Sequence, residues 1–199
     1  MAKRYEKLTA EQFLRSLEAD PDYRRRRSEQ DEALAKLDAL YRQAEAPLVS
    51  DLANLGISVE SVWTLVNGPN SYDKAIPLLL DHLQRPYPDA IRDGIARALG
   101  VPAAGHLGWR ILVDEYHRVG DKESRVKDGL AAALSGASND SVIQELIALV
   151  KDKFNGNSRL LLLLGIKRSK RPEALQAITE LADDPQLAKE IRSWRKTGK

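Results

Sequence analysis

The sequence contains no cysteine, and aromatic residues make up only 6% of it. Without cysteine, disulfide frameworks, thiolate zinc sites and cysteine nucleophiles are all excluded. Long apolar runs are also missing, since the longest covers residues 160–166 and a membrane-spanning helix needs roughly 20 apolar residues. The N-terminus lacks the apolar run that is typical of a secretory signal. We therefore expect a cytoplasmic protein that does not enter a membrane.

The residues that are abundant favour helices. Hydrophobic residues form 43% of the 199 positions and charged residues form 30%, a balance typical of a globular chain. Leu, Ala, Arg, Lys and Glu lose little free energy in a helix, so we expect an all-α fold. The net charge is only +2, but the last quarter, residues 151–199, carries 12 basic and 6 acidic residues. The basic charge is therefore concentrated near the C-terminus, and residues 51–150 are mildly acidic.

Helix-start patterns organise the first part of the chain. Thr9 and Gln12 form a capping-box pattern, which predicts a helix over residues 10–19. Asp20 followed by Pro21 predicts the start of a long helix over about residues 21–46. Pro47 should kink or end that helix, because proline removes a backbone hydrogen bond from a helix interior.

A loop separates this part from the rest of the chain. Ser58 is expected to open a short helix after the long one. The sequence Asn67-Gly68-Pro69-Asn70 follows and is the strongest loop pattern in the chain. We therefore place a boundary there, between an N-terminal helical arm, residues 1–70, and a second region, residues 71–199.

The second region repeats itself. Residues 91–100 match residues 126–135 in order: apolar, basic, Asp, Gly, apolar and Ala. A weaker third copy starts at Arg159, and each copy follows another amphipathic segment, at 75–84, 108–119 and 142–154. A last helix pair is expected after Pro172 and Pro185. Gly94 and Gly129 occupy the same repeat position, where each costs roughly 1 kcal/mol relative to Ala, and this indicates close helix contact.

The pattern resembles HEAT repeats, in which an outer helix, a turn and an inner helix alternate, the inner helix here ending in Ala98-Leu99-Gly100. The resemblance covers about residues 72–199. It implies a right-handed α-solenoid of about four helix pairs that continues the arm as one structural unit. HEAT proteins are usually scaffolds and binding surfaces, a minority resemble helical-repeat DNA glycosylases, and short bacterial ones occur as immunity proteins beside polymorphic toxins. The third copy departs most, because leucines at 160–164 replace the Lys-Asp-Gly stretch.

Catalytic and metal-binding patterns are missing from the sequence. The histidines at 82, 106 and 117 lack the four-residue spacing that pairs metal ligands on a helix, and we expect them to be exposed at helix ends. Nucleophile elbows and glycine-rich phosphate loops are also missing. We therefore expect a non-enzymatic protein that needs no metal and no cofactor.

The resemblance places a partner on the concave face of the inner helices. Mixed charges on such a face suit a protein partner, because complementary charge sets orientation and association rate. The expected contacts are Arg92, Asp93, Arg97, Lys127, Asp128 and Arg159, together with the aromatic residues Tyr72 and Trp109. A toxin that this chain would neutralise is a narrower form of the same hypothesis and rests on family analogy alone.

Nucleic acid is the alternative partner, bound by a protein related to helical-repeat DNA glycosylases. A basic C-terminal patch beside Trp194 suits nucleic acid or an acidic protein, and it equally suits the polar cap of a terminal repeat. The patch consists of Lys167, Arg168, Arg171, Arg192, Arg195 and Lys196. The acidic central repeats disfavour a nucleic-acid groove. Self-association through the long helix stays open, and so does the oligomeric state.

Overall fold

A computed structural model describes residues 9–68, 71–120 and 124–196, so Pro69 and Asn70 of the predicted loop lie outside the described residues. Within these ranges the chain is all-helical and contains no strand. None of the described helices is both long enough and apolar enough to cross a bilayer. The α-helices are α1 (Ala10–Ala19), α2 (Pro21–Asn54), α3 (Val62–Asn67), α4 (Ile76–Leu83), α5 (Asp89–Ala98), α6 (Pro102–Val119), α7 (Arg125–Ala137), α8 (Ile143–Lys151), α9 (Arg159–Arg168), α10 (Pro172–Glu180) and α11 (Ala188–Lys196). Short 3₁₀ segments cover Asp73–Ala75, Lys153–Ser158 and Leu181–Asp183.

The chain divides into two compact units, residues 1–43 and residues 44–199. The division lies within α2 and not near residue 70, and two units replace the single continuous unit that was expected. The physical reason is that Leu48 and Leu52 of α2 and Val62 of α3 are fully buried in the core of the second unit. Pro47 does not end α2, which continues to Asn54.

The first unit consists of α1 and the beginning of α2. The predicted capping box is confirmed: the backbone N–H of Gln12 donates to Thr9 Oγ1 (3.2 Å), and the backbone N–H of Thr9 donates to Gln12 Oε1 (3.0 Å). At the start of α2, Asp20 Oδ1 accepts a hydrogen bond of 2.9 Å from the backbone N–H two residues on. No side chain of α1 is buried, and Phe13 and Leu14 are exposed. Capping thus sets where these helices begin.

The second unit contains one row of neighbouring helices. Along this row α3 packs against α5, α5 against α7, and α7 against α9. The intervening helices contact the row and one another, with α6 on α7, α8 on α9, α4 beside α6, and α8 beside α10. The repeated segments of the sequence, α5, α7 and α9, therefore lie next to each other in the row.

Glycines permit the close approach within this row. A Cβ atom on Gly94 would lie 2.5 Å from Val62 Cγ1, and one on Gly129 would lie 2.5 Å from Asp93 Oδ1 and 3.0 Å from the Asp93 carbonyl oxygen. These distances are too short for any side chain to be added without movement. The close helix contact that the repeated glycines predicted is confirmed.

Two helix starts differ from the prediction. Ser61, not Ser58, caps α3, because its Oγ accepts from the backbone N–H of Trp63 (3.3 Å). The buried carboxylate of Glu45 adds a second acceptor there, at 2.5 Å from the backbone nitrogen of the first helical residue. Pro172 begins α10 as predicted, whereas Pro185 lies in a turn and α11 begins three residues later.

Candidate binding surface

Three of the expected contact residues are in the interior of the second unit. Asp93 and Lys127 are each 3% exposed and Arg159 is 1% exposed. Side chains this deeply buried cannot line a surface that faces a partner. The expectation that these three residues contact a partner is therefore wrong. Their polar atoms are satisfied by neighbouring helices, because a buried charge without partners is strongly unfavourable.

Arg159 joins α9 to its neighbours. Its Nε donates to the carbonyl of Val150 (2.6 Å), Nη1 donates to Gln186 Oε1 (2.8 Å), and Nη2 lies 2.7 Å from Asp184 Oδ2. The guanidinium holds the pKa of Asp184 below its usual range. Arg159 therefore acts as a structural link between the end of α8 and the turn before α11.

Asp93 joins α5 to α7. Its Oδ1 accepts from Arg97 Nε (2.7 Å), and its Oδ2 accepts from Arg125 Nε (3.4 Å) at the start of α7. Arg97 is half-buried and Arg125 is exposed, so both cations remain at the surface beside a buried carboxylate. Of this group, only the two arginines can contact a partner directly.

Arg92 faces α6. Its Nη2 lies 3.1 Å from Oε2 of Glu115, and Arg118 donates to the same carboxylate, which is 1% exposed. Arg92 Nε is buried without a hydrogen-bond partner among the described residues. Asp128, the remaining charged contact, is half-buried on α7. Arg92 is thus mainly a packing residue between the row and α6.

Lys127 of α7 packs against the end of α6. Its Nζ donates to the carbonyl of Gly120 and lies 4.9 Å from the ring centroid of Tyr116, within the range of a cation–π contact. The Tyr116 hydroxyl lies 2.6 Å from Ser158 Oγ, and burial raises the pKa of Tyr116 to about 12. These contacts anchor the 3₁₀ segment before α9 and leave no surface for a ligand.

The expected aromatic contacts are also structural. The Tyr72 hydroxyl donates to the carbonyl of Ala98 at the end of α5 (2.9 Å), and burial raises the pKa of this half-buried tyrosine. Trp109 is buried, and its Nε1 donates to Glu145 Oε2 (2.6 Å). Tyr72 therefore satisfies a helix-end carbonyl and Trp109 joins α6 to α8.

His82 was expected at the surface and is fully buried instead. Its Nδ1 lies 2.8 Å from the Tyr87 hydroxyl and its Nε2 lies 3.0 Å from Asp51 Oδ2. Burial lowers the pKa of His82. Both ring nitrogens already have partners, so the group stabilises the fold and offers no free nitrogen to a substrate. In the described part of the chain, no three His, Asp or Glu side chains are placed to hold a metal ion.

One surface of α9 is partly open to solvent. We call it the α9 stripe, and it consists of Leu160, Leu161, Leu164, Lys167 and Arg168. Leu164 is 40% exposed, the other leucines are half-buried, and both cations are exposed. At 100° per residue the five positions cover about a third of the helix circumference. The opposite face of α9 is buried, so the α9 stripe is a single outward face.

The basic C-terminal patch continues from this stripe. Lys167 Nζ lies 4.6 Å from the ring centroid of Trp194, whose Nε1 donates to Glu190 Oε1 (2.8 Å). Arg168 donates to the carbonyl of Ser135 at the end of α7. The structure thus brings Lys167 of α9 and the tryptophan of α11 together, whereas Arg168 turns towards α7.

The other patch residues are more scattered. Arg171 Nη2 lies 3.6 Å from Glu173 Oε1, and exposed Arg192 donates to a carbonyl of its own helix. The side chains of Arg195 and Lys196 lie outside the described residues. Only Lys167 and Arg168 of the patch belong to the α9 stripe.

Comparison with known proteins finds no match to the chain among protein-family models, curated proteins or solved structures. Function is therefore inferred from the geometry of the described residues.

Proposed function

We propose that this chain is a cytoplasmic HEAT-like protein, a right-handed α-solenoid of about four helix pairs, which binds a protein partner and catalyses no reaction. The solenoid is supported by the row α3–α5–α7–α9, in which the repeated segments of the sequence are spatial neighbours. It is also supported by Gly94 and Gly129, which make close contacts at the same position of successive repeats. Stacked pairs of this kind bury a continuous core and leave one extended face for binding.

The observation that carries the binding proposal is the apolar part of the α9 stripe. At the 67-residue offset between the first and third copies, Leu164 stands where the first copy has Arg97. The second copy has Ala132 at this position. Leu164 is 40% exposed, and its exposed part gains free energy only when another surface covers it. Exposed apolar groups rimmed by polar side chains are typical of protein interfaces.

Charged residues elsewhere on the row support the same partner class. Arg97, Arg125 and Asp128 keep part of their side chains at the surface of α5 and α7. A face that combines mixed charge on α5 and α7 with apolar residues on α9 suits a specific protein, because opposite charges set its orientation. Neutralisation of a protein toxin is the narrower form of this proposal and rests on the family resemblance.

Nucleic acid is the second candidate, favoured by the exposed cations Lys167, Arg168, Lys170 and Arg171 near the end of α9. The leucines beside them do not suit phosphate groups. Trp194 does not offer a free ring for base stacking either, because Lys167 lies over it and Glu190 holds its indole N–H. Protein is therefore the better-supported partner.

The proposal is tested by a pull-down that compares the proteins retained by different variants of the chain from an extract of its native cells. Three full-length baits are needed: wild type, Leu164→Asp and Leu107→Asp. Leu107 lies on α6 and is 59% exposed, which makes it a matched control for an exposed leucine outside the row. We expect a protein that wild type and Leu107→Asp retain and Leu164→Asp loses. If the three baits retain the same proteins, the binding face has been assigned wrongly.

A further inference from the structure

The α9 stripe changes character along its length. Its first part is apolar, with Leu160, Leu161 and Leu164, and its last part is basic, with Lys167 and Arg168. Leu164 and Arg168 are one turn apart, about 6 Å along the helix axis, so the two chemistries adjoin. A segment that covers the leucines therefore reaches the cations with its next turn.

The basic part continues past the end of α9. Lys170 and Arg171 are exposed in the connection to α10, and they extend the positive charge by one further turn's length. Among the described side chains, no carboxylate lies within ion-pair distance of Lys167, Arg168 or Lys170. Two carboxylates lie beside this segment: Asp140 Oδ1, at 3.2 Å from Ser169 Oγ, and Glu173 Oε1, at 3.6 Å from Arg171 Nη2. Four cations therefore face two carboxylates at this end of the stripe, and the three that form no ion pair within the described residues, Lys167, Arg168 and Lys170, leave it with excess positive charge.

From these observations we infer that the α9 stripe binds an acidic peptide segment of another protein: a large apolar side chain seats on Leu160, Leu161 and Leu164, and Asp or Glu residues about 6–12 Å further along meet Lys167, Arg168 and Lys170. The inference deepens the proposed function and rests on it. The apolar contact supplies burial, and the charge pairs fix the direction in which the segment lies.

Arg168 is well placed for this role. It donates to the carbonyl of Ser135 at the end of α7, so its guanidinium is held between α7 and α9 while the side chain stays exposed. A guanidinium carries five N–H groups, and one hydrogen bond to a carbonyl leaves others for a carboxylate. A positioned arginine loses less freedom on binding than a mobile one, which favours specific recognition of the acidic group.

The test starts from a random peptide library displayed on phage and selected on the full-length wild-type chain. We expect selected peptides to contain Leu, Ile, Phe or Trp followed by Asp or Glu within two helical turns. One such peptide is then synthesised with a fluorophore, and its affinity is measured by fluorescence anisotropy. Leu164→Asp and Arg168→Glu should each weaken binding by at least about tenfold. The matched exposed controls on α6, Leu107→Asp and Arg110→Glu, should change it by less than about twofold.

A charge-exchange experiment distinguishes the loss of a direct contact at Arg168 from a loss of folding. The selected peptide is remade with Lys in place of its acidic residues, and it should bind Arg168→Glu better than it binds wild type. Circular dichroism of each variant checks that the helices remain. Rescue by the exchanged peptide is expected only if Arg168 meets the acidic residue, since a misfolded variant cannot be rescued.

Other outcomes overturn the inference. The selected peptides could lack acidic residues and still bind Leu164→Asp more weakly than wild type. This result would refute the acidic partner and leave the proposed function intact. Equal peptide affinities for wild type, Leu164→Asp and Arg168→Glu would refute the site. The pull-down from native cells tests the proposed function independently. A labelled 20-nucleotide single strand that binds more tightly than the peptide, with an affinity that falls steeply with added salt, would replace the inference with nucleic acid.

Discussion

Gly129→Ala is a sharp test of how closely α7 approaches α5. In an open helix this change should stabilise the chain by about 1 kcal/mol, because alanine has the better helix propensity. Here the new Cβ would lie 2.5 Å from Asp93 Oδ1, 3.0 Å from the Asp93 carbonyl oxygen and 3.2 Å from its Cα. The carboxylate is held by Arg97 and Arg125, and the backbone atoms cannot move unless α5 moves. Overpacking of this kind costs about 1–3 kcal/mol, and the gain of about 1 kcal/mol in helix propensity offsets part of it, so we expect a net loss of up to about 2 kcal/mol.

Urea unfolding followed by tryptophan fluorescence measures this loss. All three tryptophans, Trp63, Trp109 and Trp194, lie in the second unit, so the fluorescence reports on the unit that contains Gly129. Gly94→Ala is the companion variant, because the three atoms nearest to its new Cβ would be side-chain atoms, Val62 Cγ1 at 2.5 Å and two atoms of the Trp63 ring at 3.1 Å. Side chains move more easily than backbone, so its loss should be smaller. A Gly129→Ala chain about 1 kcal/mol more stable than wild type, as expected for an open helix, would refute the close approach of the two helices.

Three further predictions concern buried polar groups of the second unit. Arg159→Ala should lower the free energy of unfolding by about 3–5 kcal/mol in urea titrations, because it leaves Asp184 without its partner; a loss below 1 kcal/mol, on the order of an exposed pair, would show that the pair is not buried. Tyr116→Phe should cost about 1 kcal/mol by the same assay, through loss of the hydrogen bond to Ser158, and no change would argue against that bond. His82 has a pKa that burial lowers below the unfolded value of about 6.5, so protonation favours the unfolded chain. Stability should therefore be fully present above pH 6.5 and fall as the pH is lowered through that value, and His82→Gln should reduce this dependence; equal pH slopes in the two proteins would contradict it.

Local patterns in the sequence predicted the helices well. Thr9 and Gln12 predicted the start of α1, because a capping box involves only residues within one turn. The repeated Gly94 and Gly129 predicted close helix contact, because a repeated unfavourable residue needs a packing reason. The first conclusion depends on residues within one helical turn and the second on a repeat that is visible by comparing two segments, so a single sequence contains both patterns.

The fate of the charged residues could not be predicted in the same way. Arg159 is buried against Asp184, which lies 25 residues away in the sequence. His82 is buried against Asp51, which lies 31 residues away. Such pairs form only when the fold brings distant segments together, and helical spacing contains no information about them. Arg159 and Asp93 were therefore expected on the binding face, although the fold uses them between helices.

The α9 stripe was visible in the sequence and was interpreted differently. Leucines at 160–164 stood out as the departure of the third repeat from the first two, which weakened the match to the repeat pattern. With the helices in place, Leu164 is exposed where the first copy has Arg97, and the departure becomes the main indication of a binding site. Periodicity alone could not separate a buried leucine from an exposed one in a run of five.

Site-specific photo-crosslinking in native cells tests the central claim, that the row of repeated helices binds a protein through α9. A photoreactive phenylalanine analogue is placed at position 164 in one full-length chain and at position 107, on α6, in another. We expect a discrete crosslinked protein adduct from position 164 and none from position 107. No adduct from position 164, or the same adducts from both positions, would contradict it.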